Sequence, residues 1–267
     1  MKYSRWISAL FGAPLVILIL VLGNVYVIDI AFAIIAAISL YEYFNSFKEK
    51  AKPVIWIGYL FSALISFIHI IPNEKILPII GIIGPVSILI MFLQVVLTNN
   101  KTTIKDISIT LFGIFYIVGF LMFIPLIRGT ENGKLLIWYV MFAAWMTDTF
   151  AYLIGMKFGK HKFSQISPKK SIEGSIAGII GATITILIYT YICNTYWGLN
   201  MNYIYIAFVA IILSIIGQIG DLSASSIKRY VEIKDFSNLI PGHGGMLDRF
   251  DSVIFIAPFA YILLCLI

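Results

Sequence analysis

The sequence predicts an all-α, polytopic integral membrane protein of about nine transmembrane helices, with its N-terminus inside and its C-terminus outside. Three observations predict it. Of the 267 residues, 60% are hydrophobic and 12% charged, against about 25% charged in an ordinary soluble domain. The apolar residues gather into runs near the roughly 20 residues that a helix needs to cross the hydrocarbon core. The cationic residues segregate to alternate loops. This composition excludes a soluble globular enzyme, a disordered chain and a collagen-like repeat, and two cysteines cannot staple a chain of this length. The net charge of +6 points to cytoplasmic loops beside anionic headgroups, not to nucleic acid.

The first apolar span, 6–22, follows Lys2 and Arg5 as the core of a signal peptide would. Its run is too long for that role, and a second span, 25–43, starts directly after Gly23 and Asn24. The pair reads as a retained helical hairpin. Further spans are expected at 54–71, 76–97, 107–127, 135–155, 174–192, 203–220 and 250–267. Trp6, Trp56, Trp138 and Trp197 stand near span ends, where amphipathic rings prefer the interface. Pro14, Pro78, Pro85 and Pro258 lie within or near spans, where membrane helices tolerate them. Without a repeat or linker, residues 1–267 form one integral domain: 1–130 supply N-terminal helices, and 131–267 the helices and loops that carry chemistry.

Nine spans put the N-terminus and the loops 44–53, 98–106, 156–173 and 221–249 on one side. That side then holds all of the 19 Lys and Arg except Lys75, Arg128 and Lys134. Positive residues favour the cytoplasm, which fixes the orientation and makes the cell membrane the expected location. Cys193 and Cys265 fall near the opposite ends of their spans and are expected as small buried hydrophobes rather than a bridge.

Ionisable groups inside spans cost about 2.5–3.5 kcal/mol each on insertion scales, so each needs a reason. Asp148 interrupts the apolar stretch 144–152, Asp221 closes the eighth span, and Asp248 and Asp251 open the ninth. All lie toward the cytoplasmic ends, where the three spans could bring four carboxylates together. Such a cluster repels itself unless a divalent cation joins it, and oxygen ligands suit Mg²⁺. Asp221, Ser225 and Lys228, at spacings of four and three, share one helix face, as do Asp248 and Asp251.

The loop between the last two spans adds Arg229, Lys234 and the run Pro241, Gly242, His243, Gly244, Gly245, followed by Arg249. Glycine backbone can approach a phosphate closely while Lys and Arg neutralise it, and His243 is a candidate general base or a backbone partner. The earlier loop places Ser167, Lys169, Lys170 and Ser171 just before a helix N-terminus, which itself favours anions. Together these features describe a polyphosphate and metal site at the cytoplasmic interface. All the conspicuous polar residues are read as lying in the C-terminal half, which argues against a transporter built from paired broken helices.

At these residues the sequence resembles a known family. Ser225, Lys228, Arg229, Lys234 and Asp235, followed by Pro241 to Gly245, Asp248, Arg249 and Asp251, resemble the signature of the phosphatidate cytidylyltransferases, or CDP-diacylglycerol synthases. Asp148, Tyr152, Gly155 and the Ser167 to Lys170 run are similar to the family's second block. The motifs cover residues 144–178 and 217–251, and the first 130 residues match only in hydropathy and span order. Phe150 and Ser171 depart from the Gly and Thr that many members carry. The resemblance implies the reaction of CTP with phosphatidic acid to give CDP-diacylglycerol and pyrophosphate. It implies Asp221, Asp248 and Asp251 as Mg²⁺ ligands, with a second cation conceivable. It implies catalytic roles for Asp148, Lys169, Ser225, Lys228, Arg229, Asp248, Arg249 and Asp251, and nucleotide contacts from Lys170, Ser171, Lys234, His243, Gly244 and Gly245. The membrane lipids are the remaining partners, a homodimer is compatible with the sequence, and a CTP-dependent isoprenoid-lipid cytidylyltransferase or kinase is the nearest rival.

Overall fold

The computed structural model describes residues 14–98, 101–164, 166–240, 242 and 244–266. The described residues are helical, with no strand beyond isolated bridges between Lys162 and Ser171 and between Ile240 and Gly244. The helices, in order, are α1 (described over 14–22), α2 (Val25–Ser46), α3 (Ile55–Ile65), α4 (Asn73–Leu97) and α5 (Ile104–Arg128). They continue with α6 (Gly133–Phe158), α7 (Ile172–Trp197), α8 (Tyr203–Tyr230) and α9 (Leu247–Tyr261). A π-helical stretch, Ile114–Val118, interrupts α5, and a second, Ile262–Leu266, extends α9.

The chain is an integral membrane protein. Six of these helices (α2, α4, α5, α6, α7 and α8) are long and apolar enough to cross a bilayer. The start of the expected first span, with Lys2, Arg5 and Trp6, lies outside the described residues. The expected third span, 54–71, is shorter than the hydropathy indicated: α3 has 11 residues, about 16 Å of helix against a core of roughly 30 Å. Its chain leaves the helix after Ile65, and the backbone N–H and Nδ1 of His69 meet the buried Asp29 carboxylate at 3.4 and 2.8 Å. α9 has 15 residues before its π-helical extension.

The chain divides into two compact units: residues up to Gly129 with Ile233–Arg249, and Thr130–Glu232 with the residues from Phe250 onward. In the first unit, α2, α3 and α5 pack closely at glycines. A Cβ on Gly58 would stand 2.5 Å from Leu40, and one on Gly113 would stand 2.8 Å from Tyr43. Asp106 forms a capping box with Thr103 at the start of α5 and also accepts the N–H of Lys52 at 2.6 Å. Thr110 Oγ1 accepts the N–H of Val54 at 2.8 Å. The loop before α3 is thus tied to α5 by polar groups that its sequence neighbours do not supply.

In the second unit, α7 turns Gly174, Gly178 and Gly181 toward α6, where added Cβ atoms would stand 2.6 Å from the Ala151 carbonyl, 2.7 Å from the Thr147 carbonyl and 2.2 Å from the Phe150 ring. Small residues let membrane helices approach this closely. Hydroxyl pairs bridge the helices: Tyr139 with Thr190 at 3.0 Å and Thr147 with Ser214 at 2.7 Å. At Gly220 a Cβ would stand 2.7 Å from the Asp251 carbonyl, so α8 and the continuation of α9 touch beside Asp221. Both cysteines are free thiols.

Candidate active site

In the second unit a cavity of about 590 Å³ opens between α6, α8 and the loop that precedes α7, with Asp148, Lys169, Lys170, Ser171, Ser175 and Asp221 among its lining residues. Local chemistry shapes that loop. The Phe163 N–H donates to the Lys170 carbonyl at 2.9 Å and the Ile172 N–H to the His161 carbonyl at 2.9 Å, folding it back on itself. Glu173, in the first turn of α7, accepts the N–H of Lys160 at 3.2 Å and meets Nδ1 of His161 at 2.6 Å. Ser171 caps α7 by accepting the Gly174 N–H at 3.1 Å. The loop's cations are therefore held against a helix N-terminus, where partial positive charge favours anions.

Lys170 forms an ion pair with Asp221. Asp148 is exposed on α6, and Asp251 is buried, within electrostatic range of Asp221, Asp148 and Lys228. Three of the four expected carboxylates thus act on one another in this unit. Ser225 and Lys228 are half-buried on α8 beyond Asp221, and Arg229 is exposed. Gln218, one turn before Asp221, hydrogen-bonds the Ser175 hydroxyl, and its Nε2 donates to the Ser175 carbonyl at 3.3 Å. Neither residue stood out in the sequence, because uncharged amides and hydroxyls carry no hydropathy signal strong enough to mark them.

The remaining expected residues lie in the first unit. Asp248 is buried at the start of α9, and its Oδ2 accepts the N–H of Phe236 at 2.8 Å and of Gly245 at 2.9 Å. That oxygen therefore holds the loop. The Gly245 N–H expected for phosphate is engaged by a protein carboxylate. Gly244 has φ +85°, and its carbonyl accepts the Ile240 N–H at 2.9 Å, closing a tight turn. Lys234 and Arg249 are exposed. His243 lies outside the described residues.

The sequence reading missed Glu42. It is 2% exposed and accepts the Ser237 hydroxyl at 2.6 Å, the Met246 N–H at 2.9 Å and the Leu247 N–H at 2.8 Å. Together with Asp29 it corrects the expectation that conspicuous polar residues are confined to the C-terminal half. Both stand inside the expected second span, where the rule about buried ionisable groups applied equally.

Among the described residues no three His, Cys, Asp or Glu side chains come close enough to hold a metal ion together. Mg²⁺ seldom needs such a cage. It is commonly bound through one or two carboxylates, with waters and substrate phosphates completing an octahedron. Asp221 beside Asp251, with a cavity next to them, fits that mode.

Residues 3–267 match the model of the cytidylyltransferase family. The chain is 34% identical over 267 residues to a phosphatidate cytidylyltransferase of Staphylococcus haemolyticus (strain JCSC1435), covering 97% of this chain and 98% of that protein. It is 38% identical over 182 residues to one of Bacillus subtilis (strain 168), covering 67% of this chain and 66% of that protein. A third similar protein, of Staphylococcus aureus (strain COL), is 40% identical over 171 residues, covering 63% of each.

Proposed function

The chain belongs to the cytidylyltransferase family, and from that premise we propose that it is a membrane nucleotidyltransferase of phospholipid synthesis, converting CTP and phosphatidic acid to CDP-diacylglycerol and pyrophosphate. The observation that carries the reading is the cavity where Lys169, Lys170 and Ser171 face Asp148 and Asp221. It presents cations for phosphate beside carboxylates for a phosphate-bound cation.

A phosphate oxygen of phosphatidic acid is a competent nucleophile at neutral pH. It attacks the α-phosphorus of CTP, the bond from that phosphorus to the bridging oxygen breaks, and pyrophosphate leaves with the bonding pair. No covalent enzyme intermediate is needed, so the chain's task is alignment and charge stabilisation. Mg²⁺, when bound, would neutralise developing charge on the leaving phosphates. Asp221 and Asp251 would hold it, with Asp148 orienting its waters. Lys228 and Arg229 on α8 would bind CTP phosphates, with Ser225 as a hydroxyl donor. Lys169 would hold the attacking lipid phosphate. Lys170, paired with Asp221, would turn its ammonium group toward a substrate phosphate and neutralise its charge when Asp221 serves a bound Mg²⁺.

We read nine spans with the N-terminus and the site on the cytoplasmic side. The segregation of Lys and Arg supports this, as does the need for access to CTP. The decisive assay combines purified protein, phosphatidic acid and radiolabelled CTP, with and without Mg²⁺. A lipid-soluble CDP product is expected only with Mg²⁺, and its absence across several detergents would overturn the assignment.

A further inference from the structure

The three residues that lead into α9 carry no side-chain oxygen. Gly244, Gly245 and Met246 precede Leu247, and none can accept the N–H groups that a helix start leaves without partners. The acceptor comes instead from more than two hundred positions earlier in the chain. Glu42, on α2, takes the Met246 and Leu247 N–H groups at 2.9 and 2.8 Å and the Ser237 hydroxyl at 2.6 Å. Its carboxylate also lies where a side chain on Gly245 would be, with Oε2 2.4 Å from the position of an added Cβ. Asp248, one residue after Leu247, closes the same segment from the other side through Phe236 and Gly245.

We propose that Glu42 is a positioning residue for cytidylyl transfer: it fixes residues 237–247 and the first turn of α9, and so aims Asp248 and Arg249, for which the family resemblance implies catalytic roles. The proposal rests on the transferase reading above. Its physical logic is that three donors converge on one buried site, and only a full carboxylate accepts from all of them. A negative charge also suits the positive end of a helix. Glutamine keeps the shape but turns an NH₂ donor toward at least one of those N–H groups, leaving a buried donor without an acceptor.

The test pairs hydrogen exchange with steady-state kinetics on the full-length protein in detergent micelles. In Glu42→Gln, peptides covering 237–247 should exchange at least about tenfold faster while the other helices keep their protection. kcat should fall by about 10- to 100-fold, as expected for misaligned groups, with KM for phosphatidic acid within about twofold of the native value. Gly245→Ala should reproduce both changes by displacing the Glu42 carboxylate. Ser237→Ala keeps the two backbone bonds and should show a loss of less than about fivefold. A merely structural role would lower the folded yield and leave kcat per folded molecule unchanged. Native-like exchange at 237–247 in Glu42→Gln would overturn the proposal, and so would faster exchange with native kcat. If Glu42→Gln does not fold, Gly245→Ala decides by the same criteria. If the native protein shows no transfer, the functional reading fails separately, and exchange alone still decides whether Glu42 holds the segment.

Discussion

Asp248 and Asp221 are both aspartates at the end of an apolar run, yet their surroundings differ in kind. Asp248 is buried in the first unit with Oδ2 against the N–H groups of Phe236 and Gly245. Glu42 and Asp106 in that unit likewise accept backbone N–H groups. In the second unit Asp221 faces the Lys170 ammonium beside a cavity that Asp148 also lines. Carboxylates that meet N–H groups of their own chain satisfy backbone that would otherwise lack partners. Carboxylates that meet side-chain ammonium groups at an opening can exchange that partner for a cation or a substrate. The kind of partner, rather than the presence of a charge in a span, separates oxygens that hold backbone, such as Oδ2 of Asp248, from those that can change partner, such as the Asp221 carboxylate.

The largest effect should come from the second unit. Asp221→Asn removes the charge that would hold Mg²⁺ while keeping the side chain's shape, and activity should fall by about 10³-fold or more, given several kcal/mol of charge stabilisation. Chelation of Mg²⁺ should abolish transfer in the native protein, and readdition should restore it. The radiolabelled CTP assay measures both. If Asp221→Asn kept near-native turnover, the contrast between the two units would collapse.

Much of this second-unit arrangement was legible in the sequence. Asp148, Lys169, Lys170, Ser171 and Asp221 were expected at one site from their span ends and loop, and they line one cavity. They were legible because charge in an apolar run is a strong local signal. The first unit was harder to read. Glu42 and Asp29 stood in a span already assigned by mean hydropathy, and a single carboxylate scarcely lowers an average over some twenty residues. Their partners, the N–H groups of Met246 and Leu247 and the ring of His69, are distant in sequence, so no spacing rule could pair them. The short α3 was missed for a related reason: its apolar run continues past Ile65 although its helix does not.

A more moderate effect sharpens the division of labour among the second unit's cations. Lys228 lies on α8 beyond Asp221, whereas Lys169 lines the cavity from the loop before α7. Loss of an ion-paired phosphate contact costs a few kcal/mol, about 10²-fold in rate if the contact tightens in the transition state. Lys228→Ala should lower kcat/KM for CTP by about that factor and leave the lipid term nearly unchanged, and Lys169→Ala should show the opposite bias. Kinetics in mixed micelles with each substrate varied in turn will decide. Equal loss of CTP affinity in both variants would make the two elements one nucleotide site and require the lipid phosphate to be held elsewhere.

The smallest expected effect tests the other side of the contrast, that polar groups of the first unit are architectural unless they hold the 237–247 segment. Thr103 is the natural probe. Its Oγ1 accepts the Asp106 N–H at 3.4 Å and donates to Asp106 Oδ2 at 2.8 Å, while Asp106 keeps its bonds to the N–H groups of Lys52 and Thr103 whether or not that hydroxyl is present. Thr103→Ala therefore removes a helix cap without leaving the Asp106 carboxylate without partners. A lost cap costs about 1 kcal/mol, which in a chain of this size lowers the thermal midpoint by about 2–4 °C. Transfer per folded molecule should be unchanged, since the bonds of the capping box run between Thr103 and Asp106 and to the Lys52 N–H, none of which belongs to the 237–247 segment or the cavity lining. Thermal unfolding in detergent, followed by the CTP assay on the same preparation, reads both quantities. A native midpoint combined with a tenfold loss of kcat would place Thr103 among the residues that serve the reaction, and the distinction drawn from the partners of each carboxylate would not hold.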